Sequence, residues 1–316
     1  MNCAVIDLGT NTCNIVVARI GDTERPEVFF RTSLPVRLGK GGINRNTILP
    51  DAIERAVGVL KTHIETCRKF DVSQVVTIAT SAVRSADNAA EVCDILAAET
   101  GAKLNIISGE EEAQLIFEGV SLAVDFSQQT QLILDIGGGS NELILAGPQG
   151  QLWKQSFNLG VARIVEQFPI SDPITVAERT AIETHFDTNL QALWEACHVH
   201  KPCSLVGCAG AFNTLSDVIL ENQPETVFHE RFEVSRTRFE AFHAQMMQAT
   251  VDERIHTPGL APLRVHMIIP ASILINLIVT KLNLSHITAT GYALREGALM
   301  RLLQNLHRFN MQNLNF

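Results

Sequence analysis

Apolar residues open the chain in a strand-like block and then return in the same arrangement half a chain later. VIDLGTNTCNIVV, from Val5, and LDIGGGSNELIL, from Leu134, each read as a buried strand, an Asp at its carboxyl end, a small-residue turn and a second apolar strand. Placing Asp7 on Asp135 also places Gly9 on Gly137, Thr12 on Ser140 and Ile15 to Val17 on Leu143 to Leu145, a constant offset of 128 positions. One such hairpin is an ordinary β-turn. Two copies at a fixed spacing point to a duplicated unit.

The pattern around each copy predicts similar surroundings. In the first half PEVFFRTSLPVRL reads as a third strand, and Ile53, Val57, Leu60, Ile64 and Cys67 lie at helical spacing from about Pro50. A strand at SQVVTIAT, a helix through AAEVCDILAAETG, a strand at LNIIS and a helix at EEEAQLIFEGVSLAV follow. This βββαβαβα order predicts a mixed sheet with helices on its faces. The second half predicts strands near 131–136, 141–147 and 152–157, and later at SLVGC and HITAT, separated by helices. Residues 221–262 read as a helix-rich insertion, with Phe and Met through 228–247 as helix core. Turn-forming residues from Asp125 to Gln131 mark the expected boundary between domains 1–126 and 127–316.

Composition narrows the function classes. At 316 residues and 46% hydrophobic content the chain is long enough for two cores. No stretch reaches the roughly 18 apolar residues of a membrane span, since Met267 to Val279 is broken by Pro270, Ser272 and Asn276. The N-terminus lacks the basic and apolar regions of a secretion signal. Seven cysteines without a CxxC pair predict reduced thiols, hence a cytoplasmic protein. A net charge of −9 argues against binding nucleic acid or a membrane broadly. An anionic ligand would need local cations, amides or a metal.

The two turns suit such a ligand. Small residues at Gly9–Thr12 and at Gly137–Ser140 let backbone approach phosphate closely and, at glycine, allow positive φ. Their N–H groups could form an anion nest, with hydroxyl donors from Thr10, Thr12 and Ser140. Asp7 and Asp135 beside them would repel phosphate unless a hard cation intervened, and Mg2+ binds a few carboxylates, water and phosphate oxygens. The expected architecture is two ribonuclease H-like α/β domains with an interdomain cleft, as in the actin, sugar kinase and heat-shock ATPase fold.

Between the hairpins, TSAVRSADN places Arg84 at a strand-to-helix turn, where a helix N-terminus would assist anion binding. ISGEEEAQLIFEGV sets Glu110, Glu111 and Glu112 in a first helical turn after Ser108. Acidic residues and a Ser cap favour a helix start on their own account, but a hydrolase also needs a carboxylate to orient water. IDLGTNT, ATSAVRSADN, ISGEEEA, DIGGGSNE and SFNLGVARI, in this order and continuing to LREGAL, resemble the exopolyphosphatase and guanosine pentaphosphate phosphohydrolase (Ppx/GppA) family.

The resemblance implies release of terminal phosphate from inorganic polyphosphate or guanosine pentaphosphate. It makes Glu112 the catalytic base, with Glu111 the alternative, and gives Asp135 and Glu142 to metal and water alongside Asp7. Arg84, Gly9, Thr10, Asn11, Thr12, Gly137, Gly138, Gly139, Ser140 and Asn141 would hold phosphate. The expected partners are this polyanionic substrate and a second copy in a homodimer. Ala211 and His266 depart from the family pattern, which keeps open a sensor of guanosine tetra- or pentaphosphate without turnover; an ATP-using kinase of the same fold is the other alternative. Arg37, Lys40 and Arg45 lie in a Gly-rich loop and fit either a solvated loop or guidance of a polyanion. Arg163, Arg264 and Arg295 are expected to be structural, with Arg264 the best functional candidate among them. CHVHKPCSLVGC matches no regular zinc spacing.

Overall fold

The first hairpin forms where the pattern places it. β1 (Asn2–Leu8), β2 (Thr12–Arg19) and β3 (Glu27–Pro35) make an antiparallel meander. The chain then runs through α1 (Pro50–Lys69), β4 (Gln74–Ala79), α2 (Ser81–Arg84), α3 (Ala89–Thr100), β5 (Leu104–Ile106) and α4 (Gly109–Val120). Pro50 begins α1 at a position where its missing N–H costs nothing, and the helix buries Ile53, Leu60, Ile64 and Cys67. β4 pairs in parallel with β1 and with β5, giving the order β3-β2-β1-β4-β5.

The second half repeats this plan. Its elements are β6 (Gln131–Ile136), β7 (Asn141–Gly147), β8 (Gly150–Phe157), α5 (Val161–Gln167), α6 (Val176–Asn189), α7 (Gln191–His200), β9 (Leu205–Cys208) and α8 (Ala209–Leu220). They continue with β10 (Phe232–Ser235), α9 (Arg236–Gln248), α10 (Val251–Ile255), α11 (Ile268–Lys281), β11 (His286–Thr290), α12 (Leu294–Leu303) and β12 (Gln312–Asn313). The sheet order β8-β7-β6-β9-β11 restates the first, with β10 added antiparallel at the edge. The duplication is therefore topological as well as sequential, and the fold class is the expected pair of mixed α/β domains.

The computed structural model describes residues 1–21, 25–222, 228–304 and the backbone of 312–313. Within residues 221–262, expected as a helix-rich insertion, 223–227 lie outside the described residues. The rest holds β10 as well as helices, because FEVS finds an open edge beside β11. Phe239, Phe242, Met246 and Met247 are the expected helix core on α9, whereas Phe228 packs edge-on against Tyr292 outside it. Among the described residues no helix is long and apolar enough to cross a membrane.

The chain divides into Met1–Gly119 with Leu294–Phe316, and Val120–Ala293. The sequence placed 294–316 in the second domain; the observed division returns this segment to the first. The cause is apolar: α12 buries Leu294, Ala298, Leu299 and Leu302 and packs on β1 and β2. Each Leu so buried contributes about 1.5–3 kcal/mol. β12 adds antiparallel to β4 of the same unit, Gln312 opposite Val75.

Candidate active site

The two hairpins set their aspartates at the same register position. Asp7 lies directly across the strand pair from Asn14, and Asp135 from Glu142. Opposed residues of an antiparallel pair share a face. Asn14 Nδ2 donates to Asp7 Oδ2 at 3.1 Å and to Thr12 Oγ1 at 3.4 Å. In the second copy the direction reverses: Ser140 Oγ and Ser156 Oγ both donate to Glu142 Oε1, each at 2.7 Å. Asn14 and Ser156 were not among the expected site residues. The 128-residue offset carries Asn14 onto Glu142 and could have found it.

Both turns close with the same bond, Gly9 N–H to Thr12 O and Gly137 N–H to Ser140 O, each 3.0 Å. These two amides are thus engaged and do not face a ligand. Positive φ among the described glycines occurs at Gly41, Gly101, Gly150 and Gly259, none of them in the turns. What the turns require is closeness, since a Cβ on Gly137 would lie 2.6 Å from Ser140 O. Among the described residues the N–H groups of Thr10, Gly138 and Gly139 donate to no protein acceptor. Asn141 commits its side-chain amide to Leu159 O at 2.8 Å.

A Leu-Gly pair seats on each turn. Gly39 N–H donates to Thr10 O, and Val36 and Arg37 N–H to Asn11 O. In the second unit Val161, Ala162 and Gly160 N–H reach Gly137, Gly138 and Gly139 O. A Cβ on Gly39 would meet Thr10 Cγ2 at 2.7 Å, and one on Gly160 would meet Gly138 O at 2.3 Å. The duplication therefore extends to Leu38-Gly39 and Leu159-Gly160. Arg163, expected to be structural, is buried and donates from Nε to Gly139 O at 2.8 Å, bracing the second turn. Arg37, Lys40 and Arg45 stand exposed on the loop over the first.

Arg84 and Glu112 grip each other: Nη1 to Oε2 is 2.8 Å, and the same nitrogen donates to Ile107 O at 3.0 Å. Their side chains are 20% and 10% exposed, so the pair is largely removed from water. Arg84 ends the four-residue α2 instead of opening a helix, so the expected help from a helix N-terminus does not adjoin it. Ser108 Oγ accepts Glu111 N–H at 3.1 Å, which makes Ser108 a cap as well. Glu111 faces elsewhere, 3.7 Å from Arg301 Nη1, so α4 turns its two candidate bases to different neighbours.

α12 brings further charge to Asp7. Burial pushes the Asp7 carboxyl above the usual carboxylate range; the positive Arg295 and the Asn14 hydrogen bond oppose this, and Glu296 adds to it. LREGAL thus contributes through Arg295 and Glu296, a role the motif alone did not indicate. Glu296 is 1% exposed and lies 3.6 Å from Arg31 Nε. In the second unit the Arg264 guanidinium lies on Gly210, where a Cβ would come within 1.9 Å of Nη2. Ala211 is buried in the core and His266 is exposed. Ala209 in the same turn has φ 62°, an uncommon conformation for a residue with a Cβ.

Among the described residues no three His, Cys, Asp or Glu side chains gather as a metal-binding group. Asp135 and Glu142, opposed on β6 and β7, would suit Mg2+, which commonly takes one or two carboxylates and completes its octahedron with water and phosphate oxygens.

The comparisons with known proteins follow the same line. The model of the Ppx/GppA phosphatase family matches residues 16–306. The chain is similar to an exopolyphosphatase from Cytophaga hutchinsonii, with 33% identity, TM-score 0.91, and coverage of 96% of this chain and 98% of that one. A Ppx/GppA enzyme of Aquifex aeolicus, at 23% identity and TM-score 0.76 over 95% and 99% of the two chains, shares the fold. A bifunctional 3-dehydroquinate synthase/phosphatase of Fusobacterium nucleatum is 28% identical over 316 residues, 96% of this chain and 46% of the relative, so the chain spans about half the length of that curated relative. With its family match spanning both halves of a duplicated fold, the chain belongs to the Ppx/GppA phosphatase family.

Proposed function

We propose that the chain hydrolyses terminal phosphoanhydride bonds of a polyanion, inorganic polyphosphate or guanosine pentaphosphate, in the cytoplasm. The observation that carries this reading is the Arg84–Glu112 pair, an anion-binding cation held 2.8 Å from a carboxylate. Hydrolysis needs both: a fixed charge for the phosphoryl group, and a base that orients or deprotonates water for in-line attack. A kinase would use its substrate hydroxyl in place of that water. The amides of Thr10, Gly138 and Gly139 supply donors of the kind that stabilise charge developing on phosphoryl oxygens. Asp135 and Glu142, opposed on β6 and β7, are carboxylates of the kind that would hold Mg2+, which would neutralise phosphoryl charge when bound. The likeness to the Cytophaga exopolyphosphatase supports polyphosphate among the candidate substrates.

The test is phosphate release from polyphosphate chains and from pentaphosphate side by side, with magnesium and after chelation, with Glu112→Gln as control. Release that needs magnesium and falls in the variant supports the reading. No release from either substrate overturns it, and tight binding of guanosine tetraphosphate without turnover would then favour the sensor.

A further inference from the structure

We infer that Arg301, on α12, is a positioning residue that sets the direction of Glu112 by fixing the rotation of α4. This inference rests on the hydrolase reading above for its kinetic consequence. It rests on geometry alone for its structural one.

Glu111 and Glu118 are seven residues apart on α4, two helical turns, and so lie on one side of it. Arg301 spans that side. Its Nε donates to Glu118 Oε2 at 2.7 Å and its Nη2 to Glu118 Oε1 at 2.9 Å, while Nη1 lies 3.7 Å from Glu111 Oε1. The Arg301 side chain is 10% exposed, which limits screening by water. Gln114 supports the same side, donating to Glu118 Oε1 at 3.0 Å. The helices also touch directly: a Cβ on Gly297 would stand 2.0 Å from Leu115 O and 3.1 Å from Gly119 N. That closeness permits little sliding or roll.

Glu112 follows Glu111 by about 100° around the helix axis. With Glu111 and Glu118 held by Arg301, Glu112 is directed to Arg84 on another side. A small roll of α4 would move the Glu112 carboxylate away from Arg84, and an error of about 1 Å in a reacting group can cost up to about 10²-fold in rate. Arginine suits the task because its planar fork holds both Glu118 oxygens and still presents a third nitrogen to Glu111.

The experiment compares Arg301→Met, Arg301→Lys and Glu118→Gln in the full chain. It measures kcat and KM on polyphosphate and on pentaphosphate, Tm, and amide hydrogen exchange across residues 109–120. Arg301→Met is expected to lower kcat about tenfold at nearly constant KM and to speed exchange in the first turn of α4. Arg301→Lys should fall between it and wild type. In the Glu118→Gln background Arg301→Met should cost much less than it does alone. A lower Tm with wild-type kcat would make Arg301 a structural clamp only and overturn the inference, as would a loss confined to KM. Should Arg301→Met fail to fold, Arg301→Lys and Glu118→Gln decide by the same criteria. If wild-type protein releases no phosphate from either substrate, the hydrolase reading fails instead. Exchange then decides this inference, and protection of α4 unchanged in the variants overturns it.

Discussion

Asn14 and Glu142 occupy one position of a duplicated hairpin, each directly across the strands from an aspartate. The first copy answers its aspartate with an amide that donates to it. The second sets a carboxylate there and gives that carboxylate two serine hydroxyls. One scaffold thus carries a single carboxyl group in one half and a pair in the other. Paired like charges across strands are unfavourable unless something positive joins them, which fits a cation site centred on the second copy.

Glu142→Gln tests that division. A Gln Oε1 still accepts the Ser140 and Ser156 hydroxyls, so the fold should be retained while the charge is lost. Turnover is expected to fall by about 10²-fold or more, with a higher magnesium requirement, because a ligand charge is removed without a cavity. A titration of activity against magnesium reads both. An unaltered magnesium dependence would remove Glu142 from the cation site.

Asp7→Asn separates function from stability. Because burial raises the folded-state pKa of Asp7, ionising it costs stability, fully so above the folded value. The cost fades as pH falls through that value and is absent below the unfolded carboxylate pKa of about 3.9. Asp7→Asn should therefore melt at or above wild type at pH 7, the two curves converging in acid, while activity is lost. A Tm below wild type at pH 7 would show that the Asp7 charge is stabilising as it stands.

Glu112→Gln keeps an oxygen for Arg84 and removes the base. We expect kcat to fall by at least about 10²-fold, with a stability loss of about 1–3 kcal/mol from weakening a charged hydrogen bond. Arg84→Lys keeps the charge but replaces the planar guanidinium, whose Nη1 alone serves both Ile107 O and Glu112, with one strongly hydrated ammonium on a flexible stem. Both KM and kcat should worsen. A variant that lost only Tm would reduce Arg84 to a structural ion pair.

Gly160→Ala probes the seat under the second turn. Its Cβ would lie 2.3 Å from Gly138 O and 2.4 Å from Gly139 N, which are backbone atoms with no easy escape. Displacing that turn should lower kcat/KM by about 10²-fold, the cost of moving positioned donors by about an ångström. Gly58→Ala, where nothing lies within 4 Å, is the control and should leave activity unchanged.

The hairpins were legible because strand, turn and strand are adjacent in sequence and then repeat. Asn14 was missed because its pairing with Asp7 appears only in the register, although the offset pointed to it. The role of glycine in the turns was misread: sequence shows where glycine stands, but not whether φ or a neighbouring carbonyl requires it. Arg84 and Glu112 were each found, yet their contact spans 28 residues and depends on how β4, α2 and α4 pack. β10 was lost among helical residues because a four-residue edge strand needs β11 to exist.

The placement of α12 also bears on the order in which the protein is made. The Arg301–Glu118 bond joins residues 183 apart, and the whole second unit is threaded between its two ends. On a ribosome, which releases the chain from its N-terminus, the first unit is begun before the second and completed after it. Until residues 294–303 emerge, one flank of β1 and β2 lacks its apolar cover, whereas the second unit, continuous from Val120 to Ala293, already has all its strands. The half carrying Glu112 thereby receives its last helix only after the whole of the half carrying Glu142 has been synthesised.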